Sequence, residues 1–541
     1  VLATGPIHLR RFPCRSGGIL LRIPCASRTY FTSMSTMSRS EPTHSPEETQ
    51  RGLRYLLLDG MASQTMGVFT TGAFLVAFAL HLGASNVVIG LIAAIQPFSQ
   101  IIQVPAIYLV ARYRKRRALV VLSCIASRLP WFGVAAIPFL LPEVARIPAL
   151  LLGLCLYFGF GAIASCSYNS WMRDFIPEKI LGSYFAKRMT LSTALGAALC
   201  LVAGFAVDFY QQQTGDTMGI YSIYFVIGGV AGLIGTVFLS RIPEPEMADP
   251  PTEGMRATLL APFRHANFRN LITFLGVWNL AINFAAPFFT VYMLSRLGLS
   301  MGYVLALSVV SQIMNVLFFR VWGNLADRFS NKSVLSVSGA AFVFSFLLWP
   351  FTTLPESHRF TLPLLVGIHV LAGISTAGVA LCSSNITLKA APRGQATAFL
   401  AVNGLVTGLA ATIAPICGGF LADYFSTREF SFVMHYGLIG GPSEAFTAPA
   451  LNLRGLDFLF VLAFFLGLYA LHRLLAVREE GEVEERIVVQ EFYGEVRKFA
   501  RSVSNIAGMR SLTYAPFGTL REERRRHPRQ SGRSVGWWRG D

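Results

Sequence analysis

Gly323-Asn324-Leu325-Ala326-Asp327-Arg328-Phe329-Ser330-Asn331-Lys332 is a short polar hinge between two long apolar runs, roughly 305–322 and 333–350. Each run approaches the ~20 residues that a helix needs to cross the hydrocarbon core of a bilayer. Gly323 lets two helices close up on each other. Arg328 and Lys332 do not cross a membrane readily, so they fix the side on which the hinge sits. Asp327 can pair with a neighbouring cation or with a helix N-terminus. Taken alone the stretch also fits an ordinary Asp-Arg hairpin between any two helices, and the rest of the chain has to decide.

Composition points the same way. The 541 residues are 53% hydrophobic and 14% charged, with a mean hydropathy of +0.51, whereas a soluble domain carries about 25% charged residues. A polytopic membrane protein embedded in a lipid bilayer is expected. The net charge of +17 lies mostly in tails and short loops, where the positive-inside bias places it, and implies no nucleic-acid partner. Of the eight cysteines, Cys124, Cys155, Cys166, Cys200, Cys382 and Cys417 fall inside apolar runs. None stands in a CxxC or Cys/His ligand spacing, so the sequence predicts neither a metal site nor any cofactor. Residues 1–50 hold several arginines, much serine and no acid before Glu41. They read as a disordered or wrongly included extension, with an organelle transit peptide as the alternative.

Further apolar runs of helical length follow, and their flanking charges set the sidedness. Spans 1 to 6 are expected at about 57–82, 86–110, 118–141, 147–170, up to Asp208, and up to Arg241. The cluster Arg112-Tyr113-Arg114-Lys115-Arg116-Arg117 and the charged loop from Trp171 to Arg188 mark one side, and the Gln211–Asp216 turn marks the other. Four prolines, Pro243, Pro245, Pro250 and Pro251, forbid helix across the next stretch. This gives a first six-helix half at 51–241, a linker at 242–267 and a second half at 268–476. The second half holds spans at about 268–295, 302–325, 333–351, 362–388, 395–424 and 455–476, with a long loop over 425–453.

The two halves repeat. Leu82-Gly83-Ala84-Ser85 matches Leu297-Gly298-Leu299-Ser300, and Gly204-Phe205-Ala206-Val207-Asp208 matches Gly419-Phe420-Leu421-Ala422-Asp423, both at an offset of about 215. Gln96 with Gln312, Arg112 with Arg328, and Cys166-Ser167-Tyr168-Asn169 with Cys382-Ser383-Ser384-Asn385 match at about 216. The hinge and the duplicated six-helix halves together resemble the major facilitator superfamily over roughly 50–476. The resemblance implies an all-α fold of twelve transmembrane helices in two pseudo-symmetric halves.

It also implies a gate. In that family the hinge motif is cytoplasmic, and its acid and cations hold the cytoplasmic ends of the halves together when the protein faces outward. The gating residues by resemblance are Gly323, Asp327, Arg328, Lys332 and Arg112, with Asp327 expected near Lys187 and Arg188 at the start of span 5. The first-half copy departs from the motif, because Ile107 stands for the glycine and Ala111 for the acid. Only one of two latches is therefore complete.

Two ionisable groups sit within the spans: Asp59 near the start of span 1 and Arg128 about ten residues into span 3. A charge at membrane depth costs a few kcal/mol unless it faces a cavity or a partner. Asp59 is a candidate for proton coupling or an interfacial acid. Arg128, with Phe344 at its repeat-related position, is a candidate for substrate or anion recognition or a structural arginine that snorkels. Gln96, Gln100, Asn169, Asn279, Asn283, Gln312, His369 and Asn385 complete the candidate set, and interhelical hydrogen bonds are the alternative reading for each. No phosphate-binding loop, HExxH or GxSxG is present, so no enzymatic or ATP-driven activity is expected.

The tail, 477–541, opens on Glu479, Glu480, Glu482, Glu484 and Glu485, then places Ile487, Val488, Phe492 and Val496 at helical spacing. A cytoplasmic amphipathic helix lying on the membrane or against the bundle is predicted. The expected protein is a monomeric secondary active transporter in the cytoplasmic membrane, both termini cytoplasmic, moving a small solute by alternating access and coupled to a proton or other ion. An organelle inner membrane is the alternative location if residues 1–50 are a transit peptide. A non-transporting sensor or scaffold on the same fold is the rival function.

Overall fold

Prolines and glycines cut the apolar runs where the spans bend. The computed structural model describes residues 45–177, 181–245, 261–353, 358–390, 396–436 and 446–506. Expectations for residues 1–44, for 246–260 of the linker and for the chain beyond 506 lie outside the described residues. Span 1 is Pro46–Thr70 followed by Ala73–His81, broken where Gly72 adopts a φ of 67°, a backbone conformation open chiefly to glycine. Span 2 runs Asn86–Ser99, tightens into a 3-10 turn at Gln100–Ile102 and resumes at Gln103–Tyr113. Pro97 and Pro105 supply no amide hydrogen there, and the α ladder breaks between them. Span 3 is Arg116–Arg128 and Pro130–Leu140, again parted by a proline.

Spans 4 to 6 are Glu143–Phe175, Leu181–Thr214 and Met218–Ser240. The second half supplies Ala266–Val291, Met301–Arg328, Asn331–Leu348, Thr361–Ala390, Ala396–Phe425 and Leu456–Leu474 as spans 7 to 12. Among the described residues eleven helices are individually long and apolar enough to cross a bilayer, and the twelfth span is the interrupted Asn86–Tyr113.

The pairing of spans repeats as the sequence does. Span 1 packs on 5 and 6 as span 7 packs on 11 and 12. Span 4 packs on 2 and 3 as span 10 packs on 8 and 9. Aromatic side chains fill both cores: Phe74 meets Tyr224 edge-on at 5.1 Å in the first half, and Phe289 stacks on Trp349 at 4.5 Å in the second. Offset and edge contacts of this kind add roughly 0.5–1.5 kcal/mol beyond area burial.

Several boundaries move: span 4 runs on to Phe175, into the expected charged loop, and span 5 to Thr214, into the expected polar turn. The first span begins at Pro46, ahead of the expected position. The stretch expected to be a long loop folds in part as an antiparallel hairpin, Glu429–Tyr436 with Phe446–Arg454. Alternation in Phe430, Phe432 and Met434 is the strand signal that the sequence reading passed over. Hydrogen bonds from Arg454 and then Asn452 hold the Glu429 carboxyl below the usual carboxylate range.

The start of the linker is pinned into the first half by one member of the basic cluster. Arg116 is fully buried. Its guanidinium donates to Asp174 at 2.5 Å, to the Ser170 carbonyl at 3.1 Å and to the Pro245 carbonyl at 2.8 Å. Trp171, also buried, donates to the Pro243 carbonyl at 2.9 Å. The start of span 3, the end of span 4 and the linker after span 6 are thereby tied together.

Candidate functional site

Call the end of the bundle that carries the loops around 112–117, 173–177 and 328–332 the basic end, and the opposite one the far end. The two halves meet through spans 2 with 11 and 5 with 8, which are repeat mates. Two carboxylates join the halves at the far end. Asp423 of span 11 accepts from the backbone amides of Asn86 and Val87, each at 3.0 Å, and from the Asn86 side chain at 2.8 Å. Asp208 of span 5 accepts from the Ser300 hydroxyl at 2.7 Å and the Gly302 amide at 3.0 Å. Each acid thus caps the first turn of a helix in the other half, where unpaired amides and the helix dipole favour negative charge.

A glycine one helical turn before each acid permits the approach. A Cβ on Gly204 would lie 3.2 Å from the Gly302 backbone, and one on Gly419 would lie 2.6 Å from the Asn86 carbonyl oxygen. The Gly-Phe-x-x-Asp repeat pair carried this signal, but the sequence does not reveal that each copy reaches into the opposite half.

Inside the first half lies a cavity of about 380 Å³, bounded by spans 1 to 6. Asp59, Gln96, Gln100 and Arg128 all line it, so four of the sequence candidates converge. Asp59 is 2% exposed and Arg128 7% exposed. The Asp59 carboxylate takes hydrogen bonds from Arg188 of span 5 and Ser63 one turn along, both at 3.4 Å. Arg188, Tyr157 and Tyr168 are lining residues that sequence reading did not single out for this site. Tyrosines in apolar spans carry no periodic signal, and Arg188 was expected opposite Asp327.

The remaining candidates lie elsewhere. Asn279 and Asn283 donate to the carbonyls of Leu275 and Asn279 on their own helix, both at 2.8 Å. His369 is buried, bonded to the Leu365 carbonyl at 2.8 Å and set edge-on to Trp349. Asn169 and Gln312 are exposed and Asn385 is half-buried. The structure brings none of these six into the first-half cavity.

The hinge meets the tail. Arg328 pairs with Glu491 of the tail helix Glu485–Ile506 at 2.8 Å. Glu479 accepts from the Asn331 side chain and the Lys332 amide, both at 2.7 Å, and from Lys389 at 3.3 Å. Lys332 itself pairs with Glu482. Phe492 stacks on Trp322 at 4.5 Å, so the tail helix lies against the bundle. Gly323 is half-buried, whereas Asp327 and Arg112 are exposed, and Asp327 makes no ion pair among the described residues. Glu479→Ala is expected to cost about 1–3 kcal/mol, because it strips a helix N-terminus and a lysine of their acceptor. Thermal unfolding with limited proteolysis of the tail reads this, and an unchanged melting curve and cleavage pattern would count against the clasp.

A polytopic helical bundle of two repeated halves, joined at one end and holding a charged internal cavity, defines a membrane transport fold. The family profile described as Major Facilitator Superfamily matches residues 60–357 and 310–442. The chain belongs to the major facilitator superfamily. Among curated proteins it is similar to the tetracycline resistance protein, class H, of Pasteurella multocida, 30% identical over 131 residues. That match covers 24% of this chain and 30% of the relative. A variant of the nucleoside transporter NupG has a similar structure, with a TM-score of 0.60 at 13% identity over 80% of this chain and all of that one. So has a bacterial homologue of the human lysosomal transporter Spinster, in an inward-facing, unoccupied conformation, with a TM-score of 0.52 at 15% identity, covering 85% and 99% of the two chains. At these identities the structural likeness is one of fold. The protein is a multi-pass membrane protein of this superfamily.

Proposed function

We propose that the protein is a secondary active transporter that moves its solute by alternating access, and that the structure represents the state open at the basic end. The observation that carries this reading is the pair of cross-half caps, Asp208 on span 8 and Asp423 on span 2. Repeat-related contacts that close one end, above a polar cavity within the bundle, are what a rocking mechanism needs. Gln96 and Gln312, repeat mates on interface spans, are both exposed, which supports a cleft between the halves. On the positive-inside bias the basic end is cytoplasmic, in a cytoplasmic membrane with both termini inside. The transporter works as a monomer, coupled to a proton or another ion, and Asp59 is the acid placed to carry the coupling. Asp327, exposed in this state, is free to meet the start of span 5 when the basic end closes.

Lys187→Cys with Asn324→Cys, treated in membranes with a short bifunctional maleimide, tests the reading without knowledge of the solute. Cross-linking should be slow in the parent protein and faster when the far-end caps are removed. A yield that ignores the caps would overturn the rocking mechanism. Asp327→Ala added to the pair should lower the cross-linking again, because it removes the latch of the closed basic end; an unaltered yield would take Asp327 out of the gate.

A further inference from the structure

We propose that the first-half cavity takes the anionic group of the transported solute, a carboxylate or a phosphate, on the guanidinium of Arg128. The proposal rests on the transporter reading and deepens it by naming a substrate class.

Charge is the first observation. The cavity is lined by two arginines, Arg128 and Arg188, and by one carboxylate, Asp59. The hydrogen bond of Asp59 goes to Arg188. Arg188 takes the hydrogen bond and Arg128 only the longer-range attraction of the same carboxylate, so two cations share one anion and the cavity carries one positive charge in excess.

Hydrogen bonding is the second. Arg128 is more than nine-tenths buried, and its Nε and Nη1 have no hydrogen-bond partner. The Tyr168 hydroxyl, on the same cavity, is likewise without one. Buried donors of this kind are normally satisfied, and an anion in the cavity would satisfy these. An arginine fork matches two oxygens of a carboxylate or phosphate, whereas it repels a cation and offers a neutral apolar solute nothing.

Placement is the third. Arg128 ends the first segment of span 3, and Pro130 opens the next, so the side chain projects at a break in the span. Span 6 makes room for its stem: a Cβ on Gly232 would stand 2.9 Å from both Cδ and Nε of Arg128. Phe344 occupies the repeat-related position and is exposed, so the second half has no equivalent arginine. A pseudo-symmetric scaffold that keeps an arginine at this repeat position on one side only has set it apart from the shared gate.

The test is thermal unfolding of the purified protein at constant chloride and ionic strength. The probes are benzoate, succinate, inorganic phosphate and glucose 6-phosphate, each beside benzamide or glucose as a neutral control. The parent protein should be stabilised by at least one of the anions and not by the matching neutral solute. For that anion, Arg128→Gln should bind about 10- to 100-fold more weakly, the usual cost of losing a charged hydrogen-bond donor, and Arg128→Lys should lose less. Gly232→Ala, whose methyl would press on Met66 Sδ and on the Arg128 side chain while keeping its charge, should also weaken the anion. Shifts are compared within each variant, so a lower starting stability does not confound them. Stabilisation by phosphate alone assigns an inorganic or phosphorylated solute, and stabilisation by benzoate or succinate assigns a carboxylate. A neutral solute that stabilises the parent and Arg128→Gln equally, or no anion-dependent shift at all, overturns the anionic substrate. The maleimide cross-linking needs no solute, so it shows separately whether the transporter reading stands.

Discussion

Replacing Asp208 and Asp423 together with alanine is expected to release the far end and shift the protein towards the state closed at the basic end. Each acid caps a helix of the opposite half. Losing such a cap costs about 1–2 kcal/mol, from the amides left unpaired and the dipole left uncompensated. The two sites share no partner, so their effects should add. Together they amount to roughly a 30- to 1,000-fold change in the ratio of the two states. Spin labels on Ala84→Cys and Thr427→Cys, in far-end loops of the two halves, read it as a distance distribution. The parent should show a short, narrow distribution; the double variant a longer one; each single variant a mixture. A short distribution in the double variant would mean that helix packing alone holds this end shut.

The second large effect concerns stability. Arg116→Ala should destabilise the protein by about 3 kcal/mol, towards the lower end for a broken buried ion pair. Asp174 is 43% exposed at its side chain and recovers water. The carbonyls of Ser170 and Pro245 lose their donor inside the protein. Arg117→Ala, one residue on and exposed, should change stability by less than about 0.5 kcal/mol, as surface substitutions usually do. Thermal unfolding followed by tryptophan fluorescence compares the two, and Trp171 is well placed to report the loss of its Pro243 contact. Equal melting temperatures for both variants would show that the tie carries no net stability.

That contrast shows where sequence reading stops. Arg112, Arg114, Lys115, Arg116 and Arg117 look alike as a run of cations that fixes sidedness. Which one turns inward depends on the end of span 4 and the linker after span 6, both far away in the chain. Arg188 gives a second instance. It was expected to face Asp327, yet it pairs with Asp59, because in this state the start of span 5 packs within its own half. Asn279, Asn283 and His369 were candidates by residue type alone. Their side chains return to their own helix backbone, a local solution that a sequence pattern cannot tell from a ligand contact. The hairpin was missed for a different reason: polar and proline-bearing stretches between spans read as loop unless alternation is sought.

The sequence by itself determined the spans, the duplication, the sidedness signals and the membrane class, because hydrocarbon imposes length and apolarity on each helix separately. It also held Gly204 with Asp208 and Gly419 with Asp423 as matched pairs. Only the tertiary structure decided that each pair reaches across to the other half, over separations of 94 and 336 residues at the Gly302 and Val87 amides. It likewise decided that the acidic tail clasps the hinge and that the Nε and Nη1 of Arg128 are left without a hydrogen-bond partner. These are contacts between groups distant in the chain. Their partners are chosen by how packed helices place side chains in space, which no local pattern of residues encodes.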